Sequence, residues 1–363
     1  MNRRHLTGMV LAAALLVGSV PVPSSASDRA LTLAQAQEIA LSGNLAIKQA
    51  EENASVADYK LEYAYDDVGS VGTDAVETAK HKEYYEKEAE YGSDFAYWAL
   101  EQTKREQALL VATSYMNLVH LDREALYQKQ VVSDLEAQLS RVEKSIEAGK
   151  AVPSEKEKVL LEIEKAKNIV SQIDHQTAEE KRQFNQLLGQ DLTASVVVQA
   201  MDIPLEAISV DDMQALIDNQ IERNGDLERI HDDKALLSIE LDVYESLNYL
   251  GEYDRTIVSI KEGITQKRHE YDMYRLQMDY DIRSEYNDLQ NAYDACLIQE
   301  LTVANLQIDY DTALKKKEIG LLTAEAVDGY AEKLERAKLD SESLKITYYV
   351  LAEDFSNYMT DME

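Results

Sequence analysis

Residues 146–155 read IEAGKAVPSE, a short break between two long stretches whose residue pattern is helical. Gly149 tolerates the left-handed backbone that commonly follows the end of a helix. Pro153 cannot sit inside a helix without breaking it. Ser154 is predicted to cap the next helix, because Glu157 follows three residues later as in a capping box. The stretch therefore predicts a tight turn between two helices.

A second break of the same kind, KKEIGLLTAE, lies at residues 316–325. Around both breaks the apolar residues recur at alternating intervals of three and four, a period typical of left-handed coiled-coil packing. The stripes are Val132, Leu135, Leu139, Val142 and Ile146; Val159, Ile163, Ala166, Val170 and Ile173; and Val303, Leu306, Tyr310 and Ala313. The sequence thus predicts two long helical hairpins.

The two hairpins belong to an internal repeat. A shift of 171 residues aligns, among others, Tyr115 with Tyr286, Leu118 with Leu289, Gly149 with Gly320, Glu164 with Glu335, Ala166 with Ala337 and Phe184 with Phe355. A weaker match joins residues 31–48 to residues 208–229, and in both segments a short helix is predicted to end near an asparagine, Asn44 or Asn224. The predicted organisation is a first helical repeat over residues 27–200 and a second over residues 201–363.

Each repeat reads as a short helix, a medium helix, an interruption, a very long helix, a turn and a medium helix. In the first repeat Thr32 and Gln35 form a capping box, and the longer helices are predicted near residues 45–67, 94–148 and 154–188. Glycines indicate the interruptions, at Gly69, Gly72 and Gly92 and at Gly251 and Gly263. The two medium helices together match the long one, so each repeat can build two rods of equal length.

Residues 1–26 are predicted to be a signal peptide, because a basic start, an apolar run and Ser24-Ser25-Ala26 follow one another. Cleavage is expected after Ala26; the alternative is an uncleaved anchor, since the apolar run approaches spanning length. Either outcome places the protein in the cell envelope, outside the cytoplasm. The net charge of −31 argues against nucleic acid and anionic lipid as partners.

The sequence offers no constellation for catalysis or for a cofactor. The histidines have no metal-ligand spacing, the paired aspartates fit no ordered calcium loop, and no nucleophile with a base or phosphate-binding loop is evident. The single cysteine, Cys296, permits no internal disulfide. We therefore expect neither an enzyme nor a metal protein.

Several segments, in this order, resemble the TolC-like outer membrane efflux proteins. They are LTLAQAQEIALSGNLAIK at 31–48, YMNLVHLDREALYQKQ at 115–130, FNQLLGQD at 184–191 and IGLLTAEAVDGYAEKLERAK at 319–338. The resemblance covers residues 31–360 and implies an all-α fold of long coiled-coil hairpins in two tandem repeats. It also implies a homotrimer whose rods form a hollow α-barrel. In this family such a trimer is the exit duct of an efflux or type I secretion system, with a membrane-fusion adaptor and an inner-membrane pump of ABC or similar type.

The resemblance also implies where partners act. The adaptor contact falls on the two turns, at Gly149, Lys150, Ala151 and Val152 and at Gly320, Leu321, Leu322 and Thr323. An acidic constriction is expected just beyond them. Glu155 occupies the matching place in the first repeat. In the second repeat Ala326 and Gly329 hold those places, while Glu325 and Asp328 lie one position earlier on one helix face.

One family feature is missing from the sequence. A membrane-spanning strand needs about 9–11 residues of alternating character. Residues 68–93 are charged and helix-like instead, and Thr256–Ile260 is too short. We therefore expect the β-barrel hairpins to be reduced or absent, which departs from the family's outer membrane location. The alternative function is a secreted coiled-coil scaffold of the cell envelope that no longer conducts.

Overall fold

The structure, a computed structural model, describes residues 30–247 and 254–360. The predicted signal peptide and Gly251 lie outside these ranges. The described residues form eight helices: α1 (Leu33–Gly43), α2 (Leu45–Asp66), α3 (Ala75–Glu147), α4 (Pro153–Leu187), α5 (Met213–Arg223), α6 (Gly225–Ser246), α7 (Arg255–Glu318) and α8 (Ala324–Thr360). The predicted all-α fold is confirmed.

The eight helices repeat one pattern twice. Helices α1 and α5 have 11 residues each and α2 and α6 have 22 each. The long helices α3 and α7 have 73 and 64 residues, and α4 and α8 have 35 and 37. The tandem structural repeats are thus confirmed.

Residues paired by the 171-residue shift also occupy equivalent environments. The rings of Tyr115 and Phe184 lie 6.3 Å apart, and those of Tyr286 and Phe355 lie 5.4 Å apart. Leu118 and Leu289, the next pair in the alignment, are both buried. Equivalent packing at equivalent positions shows that the two halves fold in the same way.

The long helices stand in a layer of four rods. Helix α3 packs against α2 and α4 and also against α6 and α8, while α7 packs against α6 and α8. No comparable packing joins α2 or α4 to α6, α7 or α8 in the described parts of the chain. The rod order is therefore α2 with α4, then α3, then α6 with α8, then α7. This order leaves an open edge at α2 and α4 and another at α7.

The predicted coiled-coil stripes face the neighbouring rods. All the stripe residues before and after the first turn, and those before the second turn, are buried or half-buried. Val159, Ile163 and Ala313 are among the fully buried ones. The 3.5-residue period therefore identified residues that the fold buries fully or partly.

Three local predictions were wrong. Helix α3 begins at Ala75, about twenty residues before the predicted start, because Asp74 caps it by accepting a hydrogen bond from the Glu77 backbone N–H. Gly92 and Gly263 lie inside α3 and α7 and do not interrupt them. Gly69, whose φ is 93°, and Gly72 do lie in the break between α2 and α3, as predicted.

The predicted cap of α4 was also wrong. The helix begins at Pro153, and Val152 is its N-cap without a side-chain hydrogen bond. Proline is favoured at the first helical position because its missing N–H has no partner there in any case. Ser154 consequently lies within the first turn, whereas the capping box of Thr32 and Gln35 on α1 is confirmed.

Among residues 30–247 and 254–360 the only β pairing is an isolated bridge between Leu31 and Val198. Thr256–Ile260, considered above as a strand, lies within α7. In the same ranges no helix has the length and apolar character needed to cross a membrane.

Candidate functional site: the two turns and the two open edges

The first turn is a tightly specified end of α3. Gly149 has a φ of 70°, its N–H donates to Ile146 O at 2.9 Å, and the Lys150 N–H donates to Ser145 O at 2.8 Å. These paired bonds are the Schellman arrangement, which satisfies carbonyls that the helix end leaves free. The predicted left-handed role of Gly149 is confirmed.

The second turn repeats this geometry at the end of α7. Gly320 has a φ of 77°, its N–H donates to Lys317 O at 2.9 Å, and the Leu321 N–H donates to Lys316 O at 2.8 Å. Thr323 then caps α8, which begins at Ala324, because the Thr323 Oγ1 accepts a hydrogen bond of 3.2 Å from the Ala326 N–H. The two turns therefore have one backbone design and different side chains.

Both turns lie at one end of the molecule. Arg123 and Glu124 of α3 pair with Glu342 and Arg336 of α8, so α3 and α8 run antiparallel. Helix α7 is also antiparallel to α8, since they form a hairpin. Helices α3 and α7 are therefore parallel, and the turns at their carboxyl ends point the same way.

The second turn is the more apolar of the two. Ile319 is 71% exposed and Leu321 is 72% exposed, whereas Leu322 is half-buried. At the first turn Val152 is 55% exposed, Ala151 is half-buried and Lys150 is exposed. The sequence did not indicate Ile319 as part of the docking surface, because the orientation of its side chain follows from the cap geometry. Its exposure enlarges the apolar surface around Leu321.

Lysines surround this apolar surface. Lys315, Lys316 and Lys317 form the last turn of α7, where cations interact favourably with the helix dipole. At the first turn the corresponding cation is Lys144, and Lys156 of α4 is paired with Glu143 at 2.8 Å. The hydrogen bond from Lys156 to Glu143 raises the pKa of the lysine. Three consecutive lysines at a helix end contrast with the net charge of −31 of the whole chain.

The expected acidic residues are present beyond the turns but are not gathered within one chain. Glu155 lies in the first turn of α4 and Glu325 in the first turn of α8. Glu155, Glu325 and Asp328 are all exposed, and none forms an ion pair with another part of the described chain. An acidic constriction thus stays a prediction that requires more than one copy.

A second surface is formed by the two open edges of the layer. On α2 the outer edge is an exposed stripe of Leu45, Val56, Tyr59 and Tyr63. On α7 the outer edge is an exposed stripe of Met273, Leu276, Tyr280, Ile298, Leu301 and Ile308. Four members of the α7 stripe, Met273, Tyr280, Leu301 and Ile308, are spaced by multiples of seven, as in a coiled-coil seam.

The edge stripes lie opposite the faces that pack within the chain. On α2 the packed face carries Ile47 and Ala54, and on α7 it carries Ile282 and Leu289. The edges could not be located from the sequence, because the period alone does not say which helices are neighbours. Large exposed apolar surfaces on soluble rods usually indicate an interaction site.

The fold has close counterparts among solved structures. The chain superposes on the outer membrane channel CmeC of Campylobacter jejuni with a TM-score of 0.63 and 12% identity, covering 91% of this chain and 85% of that one. For VceC of Vibrio cholerae the TM-score is 0.63 and the identity 11%, covering 89% and 94%. For the MtrE outer membrane channel of Neisseria gonorrhoeae the values are 0.61 and 10%, covering 90% and 88%.

These likenesses confirm that the chain has the TolC-like fold. At such low identity they show the fold alone. No protein-family model matches the sequence, and no curated protein matches it. Among the residues that the structure describes, no group of three or more histidine, cysteine or acidic side chains could hold a metal ion.

Proposed function

We propose that this protein is the exit-duct component of an efflux or secretion system, a trimeric α-helical conduit of the cell envelope. The observation that carries the proposal is the pair of open, apolar edges on a layer whose fold is that of outer membrane channels. An adaptor and an inner-membrane pump would complete the assembly. The same fold without conduction would serve as a scaffold, which is the competing function.

The direction of the rods supports assembly edge to edge. Each rod runs antiparallel to the rod beside it. The chain direction therefore alternates across the layer, from the rod of α2 and α4 to α3, then to the rod of α6 and α8, and then to α7. A second copy that places its α2 beside α7 continues this alternation without a break. Because the two edges are different surfaces, the contact is head-to-tail, and such contacts close into rings when the rotation permits.

The heights of the two apolar stripes also support this contact. The Ser93 hydroxyl of α3 donates to Asp58 of α2 at 2.8 Å. Five residues further along α3, Trp98 packs against Gly225, the first residue of α6. The Tyr274 hydroxyl of α7 then donates to Asp226 at 3.1 Å. At 1.5 Å per residue these contacts place Tyr274 within about 6 Å of Asp58 in height, roughly one helical turn.

The consequence is a specific register between copies. Val56 and Tyr59 flank Asp58 on α2, and Met273 and Leu276 flank Tyr274 on α7. In a ring whose copies stand level, Val56 faces Met273, and Tyr59 and Leu276 lie about one helical turn to either side of that contact. Their burial would provide a hydrophobic gain of about 1.5–3 kcal/mol for each fully buried side chain.

The turns supply a docking surface for the adaptor. Ile319 and Leu321 are exposed apolar residues that follow the three lysines in the last turn of α7, and Gly320 leaves space for a close approach. An adaptor that binds here would offer apolar side chains with acidic neighbours. Three copies in a ring would present three such surfaces at one end.

Deletion of the gene in its native cell, followed by complementation, tests conduction. We expect deletion to raise the cellular accumulation of an efflux dye such as ethidium, or to remove at least one polypeptide from the secretome. The wild-type chain and Met273→Leu should return dye accumulation and the secretome to the levels of the undeleted cell. Met273→Asp should not, because a charge at the edge opposes assembly. An unchanged dye level and secretome after deletion would favour the non-conducting scaffold.

A further inference from the structure

A cavity of about 750 Å³ opens between the second half of α2 and the first third of α3, near the end of the molecule opposite the two turns. Ligand sites in proteins typically enclose about 300–1,000 Å³. The cavity is lined by Ala57, Lys60, Tyr63 and Ala64 of α2, by Asp67 at the end of that helix, and by Glu77, His81, Tyr85, Glu88, Ala89 and Gly92 of α3.

Small residues create the space. Ala57 and Ala64 on α2 and Ala89 and Gly92 on α3 leave the two helices without large side chains between them. A Cβ atom added at Gly92 would meet no atom within 4 Å. The floor is therefore apolar and has room for a flat or elongated hydrocarbon group.

Polar groups converge at one end of the cavity. The Tyr85 hydroxyl donates to Glu77 Oε1 at 2.7 Å, and this bond raises the pKa of Tyr85 to about 12. His81 Nε2 lies 3.8 Å from the same carboxylate oxygen. His81 Nδ1 is buried and lies 2.7 Å from Asp67 Oδ2, so this carboxylate is its partner. The carboxylates of Asp67 and Glu77 therefore lie on either side of the His81 ring.

The charge of the lining is negative. Asp67, Glu77 and Glu88 contribute three carboxylates, against Lys60 and the imidazole of His81. Glu88 is exposed and forms no ion pair within the described chain, so its charge is available to a ligand. The rings of Tyr63 and Tyr85 add aromatic faces, which attract cations.

We propose that this cavity binds amphipathic organic cations, with the hydrocarbon body on the alanine and glycine floor and the cationic nitrogen at the carboxylate end. The inference goes beyond the proposed duct function, and every lining residue comes from one chain; Tyr63, which also belongs to the edge stripe of α2, lies where the cavity meets that edge. Organic anions are disfavoured by the same three carboxylates, and neutral compounds lack the charge interaction.

Fluorescence anisotropy with two dyes tests the proposal on the full chain. Rhodamine 6G is the cationic probe and fluorescein is the anionic control. We expect saturable binding of one rhodamine 6G per chain and no comparable binding of fluorescein. Binding that never saturates, or equal binding of the two dyes, would overturn the proposal.

Substitutions then locate the site. Gly92→Leu places a side chain in the cavity and should weaken rhodamine 6G binding at least about ten-fold, while leucine favours the helix more than glycine does. Glu88→Gln should weaken it about three-fold, an effect that salt reduces. Glu83→Gln, a charge loss on the same helix outside the cavity, should bind like the parent.

The helicity of each variant is measured first by circular dichroism. If Gly92→Leu is fully helical and binds rhodamine 6G as tightly as the parent, the cavity is not the site. If Gly92→Leu does not fold, the comparison of Glu88→Gln with Glu83→Gln decides, and equal affinities of these two variants would contradict the proposal.

Discussion

At the scale of single residues, Glu342 links the two repeats through a charge held largely out of water. Its side chain on α8 accepts from the Arg123 guanidinium of α3, and His120 Nδ1 lies 3.2 Å from its second oxygen. Glu342→Ala would leave Arg123 and His120 without this partner. We expect a loss of about 2 kcal/mol in the free energy of unfolding, measured by urea denaturation.

Asp340→Ala is the matched control for Glu342→Ala. Asp340 is exposed on α8, where it pairs with Arg336 one helical turn away. Such exposed pairs contribute little, so its loss should cost less than about 0.5 kcal/mol. An equal loss in the free energy of unfolding for the two variants would show that the Glu342 ion pair contributes no more to stability than an exposed pair.

Asp94 predicts a substitution that stabilises the protein, and the gain in stability depends on pH. Partial burial raises the pKa of Asp94 on α3, and the negative charge of Glu90 raises it further. Asp232 faces Asp94 from α6, and its pKa is raised in the same way by burial and by Glu228. Lys87 partly offsets these effects at Asp94. Because the folded-state pKa is raised, the contribution to stability is complete below the unfolded value of 3.8 and is lost as the pH rises through the folded value.

The ionised carboxylate of Asp94 is therefore unfavourable at neutral pH. We expect Asp94→Asn to raise the free energy of unfolding by about 0.5 kcal/mol at pH 7, a figure kept small because solvent screens an exposed group. Below pH 3.8 the gain should vanish. Urea denaturation at both pH values checks this, and an equal gain at both would contradict the electrostatic origin.

At the scale of helices, the two turn glycines should be intolerant of side chains for a backbone reason alone. Gly149 and Gly320 have positive φ angles, and a Cβ atom at either would meet no neighbouring atom. We expect Gly149→Ala and Gly320→Ala to cost about 1 kcal/mol each in chemical denaturation. Gly92→Ala, inside α3, should instead stabilise by about 0.5–1 kcal/mol. A cost at Gly92 equal to that at the turns would refute this distinction.

Helix boundaries show which structural features were readable from the sequence. The glycine of each turn was predicted correctly, because a glycine in a left-handed position follows each long helix and the 171-residue shift relates the two, whereas the cap of α4 was not. The start of α3 at Ala75 was missed, because residues 75–93 lack apolar periodicity and contain Gly92. A mid-helix glycine costs little, so it need not interrupt a helix that is capped and packed elsewhere.

The candidate site was predictable only in part, because the exposure of its residues depends on the three-dimensional arrangement of the helices. The resemblance gave the positions of the turns, but the exposure of Ile319 depends on how the cap orients its side chain. The open edges at α2 and α7 depend on rod order, which follows from contacts between distant segments. A period identifies that a face is apolar, and only the three-dimensional arrangement identifies whether that face is covered.

The turn surface makes a further prediction at this scale. Leu321→Asp and Gly320→Trp should each lower the affinity for a docked adaptor at least ten-fold, a loss of about 1.4 kcal/mol or more. Affinity is measured by surface plasmon resonance after helicity and oligomer mass have been checked. Val152→Asp, at the less apolar first turn, should have a smaller effect. Unchanged binding by both second-turn variants would show that this turn serves only to connect α7 and α8.

At the scale of the whole molecule, the central claim is that copies join through the outer edges of α2 and α7. The chain has one cysteine, Cys296, which is buried and can be replaced by alanine to give a cysteine-free background. In that background, Val56→Cys with Met273→Cys places one thiol on each edge at the same height. Val56→Cys with Leu301→Cys is the control, because Leu301 lies 28 residues further along α7, about 42 Å at 1.5 Å per residue.

The most direct measurement is the mass of the covalent species that form on mild oxidation of these two variants, read on a denaturing gel. The account predicts that the Val56 and Met273 pair yields a closed covalent trimer at the expense of monomer, and that the Val56 and Leu301 pair stays monomeric. A monomer from both pairs, equal cross-linking of both, or a ladder that extends beyond three copies would contradict it.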